Sequence, residues 1–149
     1  MLETRGTGVA VHEQYAALLQ RLSDGPGLLA GFDGEEPGPG GHSWKQTFAR
    51  FEPADDPFAT LCFETVDDPQ RIVRLEAYHS RPQASARARF KPDDVLGWLA
   101  LNAFPSDPEL PTLAAVLYDA PKARVIRYRP HRRCTMRVEN ESGCYFVKV

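Results

Sequence analysis

The sequence is poor in cysteine, and none of it falls in a working pattern. Cys62, Cys134 and Cys144 are odd in number and contain no C-x-x-C pair. That argues against a disulfide scaffold and a structural zinc site, and leaves three reduced, partly buried thiols. No apolar run approaches the roughly 20 residues of a membrane helix. The first residues, MLETRGTGVAVHEQY, lack the basic-then-apolar layout of a secretory signal. The expectation is a cytoplasmic protein with no membrane contact. Neither G-x-G-x-x-G nor a Walker lysine motif occurs, so both standard glycine-rich phosphate cradles are missing, and there is no G-x-S-x-G. His12, His42, His79 and His131 are scattered, with no H-x-x-x-H and no carboxylate at ligand spacing, and the neighbours His79 and Ser80 make no nucleophile–base pair by adjacency. No catalytic residue and no metal ligand can be nominated. The pairs Asp55-Asp56, Asp67-Asp68 and Asp93-Asp94 stand at turns or a helix start, where capping explains them better than catalysis.

What is there fits one domain, or a small domain with an appendage: 149 residues, 42% hydrophobic and 26% charged. The net charge of −2 hides an imbalance. From Ala120 onward eight Lys/Arg face two Asp/Glu, giving +6, so the preceding residues carry −8. A basic end on an acidic chain marks an anion site or a solvated sheet face.

Along the chain, Val11, Tyr15, Leu18, Leu19 and Leu22 form one helical stripe within Val9–Leu22, stopped by Ser23-Asp24-Gly25-Pro26. GPGLLAGFDGEEPGPGG, Gly25 to Gly41, reads as a loop or linker. HSWKQTFARFEP, FATLCFETV and RIVRLEAY are strand candidates bounded by the turn signals PADDPF and DDPQ. SRPQASARARFK is basic and irregular. KPDDVLGWLALNAF reads as a helix opened by Pro92-Asp93-Asp94 and carrying Val95, Leu96, Leu99 and Phe104. A second short helix in PSDPELPTLAAVLYDAP turns Leu110, Leu113, Val116 and Leu117 to one side and ends at Pro121.

The expected fold class is α+β, with antiparallel β segments and short helices. Residues 1–23 form an N-terminal helix, 24–41 a Gly/Pro linker, 42–91 an antiparallel β segment, 92–121 two short helices and 122–149 a β meander. The meander strands are RVIRYRP, CTMRVE and CYFVKV, with Asn140 and Gly143 in the connector NESG. Pairing Glu139 with Cys144 places Lys148 opposite Thr135. Alternation then puts Met136, Val138, Tyr145, Val147 and Val149 on one face and Thr135, Arg137, Phe146 and Lys148 on the other. Cys134 and Cys144 fall far apart on opposite faces. A faint internal echo relates FARFEP to VIRYRP, ATLCFET to CTMRVEN and RIVRLEAY to CYFVKV, with Glu76 where the second copy has Lys148.

A lysine on a strand, two residues after an apolar residue of the same face, can present its ammonium to nucleotide phosphates while the flat neighbour packs on adenine, as in kinase folds. The arginine-rich turn supplies planar donor forks suited to phosphate. Arg127-Tyr128-Arg129-Pro130-His131-Arg132-Arg133-Cys134-Thr135, continuing to Tyr145-Phe146-Val147-Lys148, resembles the start of an aminoglycoside-phosphotransferase-type small-molecule kinase: an R-Y-x-P turn, a basic pair, a short strand, a hairpin and an aromatic-apolar-Lys strand. PSDPELPTLAAVL resembles the acidic-proline-leucine helix before that strand. The resemblance implies the N-terminal lobe of a protein-kinase-like fold without its C-terminal lobe. It implies Lys148 as the phosphate-binding lysine, Phe146 beside the base, and Arg129, His131, Arg132 and Arg133 in the phosphate-covering turn. That turn lacks the glycines of protein kinases. ATP and magnesium are the implied cofactors of the full-length enzyme. The catalytic-loop and metal-binding aspartates belong to the missing lobe, so the chain is expected to be the inactive front part of a longer phosphotransferase acting on a small-molecule hydroxyl. Two other functions compete. One is a basic-hairpin binder of an anionic partner such as RNA, disfavoured by the short patch on an acidic chain. The other is a non-catalytic adaptor that forms a homodimer through an open edge strand.

Overall fold

A computed structural model describes residues 15–32, 43–68, 70–83, 89–120 and 122–149. Residues 15–22 are helical (α1), and a 3-10 turn follows at Gly25–Leu29. Five strands come next: β1 (Trp44–Phe51), β2 (Ala59–Thr65), β3 (Ile72–Tyr78), β4 (Arg89–Asp93) and β5 (Gly97–Ala103). Then come α2 (Leu113–Asp119) and the strands β6 (Arg124–Arg129), β7 (Arg133–Asn140) and β8 (Gly143–Lys148). The first five strands form one antiparallel sheet in the order β1-β2-β3-β5-β4, and the last three form a separate antiparallel meander. The α+β class is thus met, with β structure dominant.

Strand alternation gives β3 two different faces. Val73, Leu75 and Ala77 join Leu61, Phe63, Leu99 and Leu101 in the main core. Leu18 and Leu22 of α1 and the buried Leu28, Leu29 and Phe32 cover that core. The Gly/Pro stretch therefore does more than link. Its Leu-Leu pair turns inward on a 3-10 turn, which glycine and proline permit where a longer helix would fail. Residues 1–14, the second half of the expected linker (33–41) and residue 42 lie outside the described residues.

The helix expected from KPDDVLGWLALNAF is a β-hairpin, β4–β5, and its strand β4 begins within the stretch read as irregular. Asp93 does cap, but it caps a turn: its carboxylate accepts the N–H groups of Val95 and Leu96. Gly97 then adopts φ 93°, and a Cβ there would lie 2.6 Å from the Tyr78 carbonyl oxygen, so only glycine fits. Arg21 of α1 reaches the same Asp93 at 2.7 Å and ties the helix to this turn.

The terminal meander follows the expected register, including Glu139 opposite Cys144 and Thr135 opposite Lys148. Pairing continues to Asn140 opposite Gly143, so only Glu141 and Ser142 make the turn, and Gly143 takes φ 135°. Met136, Val138 and Val147 pack beneath α2 with Leu110, Leu113, Val116 and Leu117, the apolar side read for that helix. Both segments related by the internal echo are antiparallel meanders, but only the first continues into a larger sheet. Cys62, Cys134 and Cys144 are free thiols. No helix among the described residues is long and apolar enough to cross a membrane.

Candidate functional site

Two features merge at the junction of the sheets: a basic outer face and a buried ionic network. The pairing of β6, β7 and β8 assigns the face. Residues paired across an antiparallel ladder share a side, so Arg124, Arg137 and Phe146 stand together, as do Arg127, Thr135 and Lys148, and Arg129 with Arg133. This side points away from the apolar cluster under α2, and Phe146 is 62% exposed. Arg137 bonds Glu139 and the Cys144 thiol. Among the described residues Arg124, Arg127, Arg129, Arg132, Arg133 and Lys148 enter no ion pair, so the face has spare cationic donors. Lys148 sits one strand from Thr135, which lies two positions from Arg133, near the β6–β7 turn.

The turn itself is fastened to the other side of the meander. His131 takes φ 64°, rare for a non-glycine residue. Its backbone N–H donates to Asp107 Oδ2 at 2.8 Å, its Nδ1 lies 2.8 Å from Asp107 Oδ1, and its Nε2 lies 2.7 Å from Glu76 Oε2. Both ring nitrogens face carboxylates, which requires the imidazolium. The hydrogen bonds to Asp107 and then Glu76 push its pKa up to about 9. Burial acts to raise the Asp107 and Glu76 carboxyls, but His131, joined by Tyr128 at Asp107 and by Arg74 at Glu76, holds both below the usual range.

Tyr128 donates its hydroxyl to Asp107 Oδ2 at 2.7 Å and accepts from Arg74 Nη1 at 3.1 Å. Burial, followed by the bond to Asp107, raises the Tyr128 phenol well above its ordinary value. Arg74 also donates to the Ser106 carbonyl. Its Nε lies 3.4 Å from Glu76 Oε1, close enough for charge attraction, yet has no hydrogen-bond partner among the described residues. Arg74 and His131 therefore balance Glu76 and Asp107 in a largely buried junction.

Of the residues expected to meet nucleotide, Lys148, Phe146, Arg129, Arg132 and Arg133 are exposed in or beside the basic face. His131 plays a different part. With both ring nitrogens engaged, it has no donor for phosphate and anchors the turn instead. Among the described residues no group of three His, Cys, Asp or Glu is arranged to hold a metal ion. Sequence reading missed Arg74, Glu76 and Asp107. The available signal was the alternation of Arg74, Glu76 and Tyr78 with Val73, Leu75 and Ala77, a polar stripe that a second layer has to cover. No protein-family model, curated protein or solved structure matches the chain.

Proposed function

We propose that the chain is the nucleotide-side part of an ATP-dependent phosphotransferase acting on a small-molecule hydroxyl, inactive by itself. One observation carries this reading: Lys148, Phe146 and four unpaired arginines of β6 and β7 share an open face. The ammonium and guanidinium groups offer charge-assisted donors to the α- and β-phosphates. Phe146 offers a flat apolar surface to the base. Because the His131 N–H is spent on Asp107, phosphate contact falls to side chains rather than to the turn backbone. The same face does not suit magnesium. Its one described carboxylate on the paired strands, Glu139, is bonded to Arg137. The metal ligands and the proton-accepting aspartate would come from a second lobe.

Titration with ATP, followed by backbone and side-chain NMR, tests the reading. Saturable shifts at Lys148, Phe146 and Arg133 are expected, and Lys148→Met should weaken binding by about tenfold or more, the loss of one charge-assisted contact. ATP shifts that miss β8, or an unchanged Lys148→Met affinity, would reject it. Tighter binding of an oligoribonucleotide than of ATP, falling steeply with salt, would favour the RNA-binding alternative.

A further inference from the structure

A cavity of about 370 Å³ opens on the polar side of the large sheet, beneath the segment that leads into α2. Its floor is formed by β3, β4 and β5, with Arg74, Glu76, Asn102 and Phe90 facing inward, and Asp107 and Leu110 contribute from the covering segment. The volume lies in the range of small-molecule sites, about 300–1,000 Å³. We propose that this cavity binds a small, uncharged, hydroxyl-bearing ring molecule of the simple-sugar class. The site is independent of the nucleotide reading.

Three observations select that chemistry. First, the carboxylates at the floor are already matched: Glu76 and Asp107 pair with Arg74 within the lining and with His131 behind it. An anionic ligand would meet two carboxylates, and a cationic one would meet Arg74 and carboxylates already engaged by Arg74 and His131, each losing its hydration without a spare counter-charge. Second, the floor has unspent hydrogen-bonding capacity. The Asn102 amide donates only a long 3.5 Å bond to Glu76. A hydroxyl can pair with the Asn102 amide, which a purely apolar molecule cannot. Third, Phe90, Leu110 and the rings of Pro105, Pro108 and Pro111 give the remaining wall apolar faces, suited to the C–H face of a sugar ring.

Glu76 and Asp107 line the cavity and also clasp His131, so occupancy should be sensed at the β6–β7 turn. D-glucose, D-glucuronate and D-glucosamine provide one scaffold in neutral, anionic and cationic forms, and NMR titration can read the Asn102 side-chain amide and the His131 imidazole. D-glucose is expected to shift both with roughly millimolar affinity, and the two charged analogues to bind at least about tenfold more weakly. Ala114→Trp, at the exposed rim on α2, should abolish the shifts without moving the denaturation midpoint. The proposal is overturned if D-glucose produces no shifts, if either charged analogue binds as well, or if the shifts persist in a folded Ala114→Trp protein. The three-ligand series on the unaltered chain decides the charge selection even if that variant fails to fold.

Discussion

Raising the pH through 9 should loosen the junction between the sheets, because it removes a proton from His131. The imidazolium donates to Asp107 and Glu76 at 2.8 and 2.7 Å. The neutral ring would leave one nitrogen lone pair facing a buried carboxylate. His131 titrates near 6.5 when unfolded and is raised to about 9 when folded. A raised pKa stabilises the fold fully below the unfolded value and loses that contribution as pH rises through the folded value, so the window is about pH 6.5 to 9. At about 1.4 kcal/mol per unit, the ideal linkage would exceed 3 kcal/mol. With the imidazole 23% exposed, about 2–3 kcal/mol is the working expectation. Urea unfolding at pH 6.5, 7.5, 8.5 and 9.5 should show this decline. His131→Asn should flatten it, since asparagine tolerates the positive φ but does not titrate. Burial pushes the thiols of Cys62 and Cys134 to about 12 and 11, and the Tyr78 phenol to about 12, above the window. A folded-state imidazole that titrates near 6.5 by NMR, or an equal decline in His131→Asn, would refute the reasoning.

Two further perturbations probe the same framework. Tyr128→Phe removes the donor to Asp107 and the acceptor for Arg74, and should cost about 1–3 kcal/mol in urea unfolding while the strands persist by circular dichroism. Gly97→Ala forces a Cβ to within 2.6 Å of the Tyr78 carbonyl oxygen at φ 93°, and should lower stability by about 2–4 kcal/mol. A thermal midpoint within 2 °C or so of the parent, less than 1 kcal/mol for a chain of this size, would contradict the tight-turn assignment.

The meander was legible in the sequence because two constraints coincide there: a glycine-bearing turn and strict alternation from Met136 to Val149. Together they fix the partner of Lys148. The β4–β5 hairpin was not, because Val95, Leu96, Leu99 and Phe104 suit a helical period as well as a strand. Pairing of Leu99 with Ala77 and Leu101 with Leu75 decides the matter, and those partners lie more than twenty positions away. Leu28 and Leu29 were hidden by their glycine-rich setting. The basic face could be read from charge alone. The ionic network could not, since Arg74, Glu76, Asp107 and His131 meet only when two sheets and a connecting segment come together.

The two-sided character of β3 also guards its alignment. Sliding that strand by one position would drive Arg74 and Glu76 in among leucines and phenylalanines, and would strand His131 and Asp107 without counterparts. The ionic layer thus works as an alignment pin. It makes every off-by-one pairing of the central strand prohibitive, a safeguard that greasy contacts alone, indifferent to which aliphatic chain they meet, would not provide.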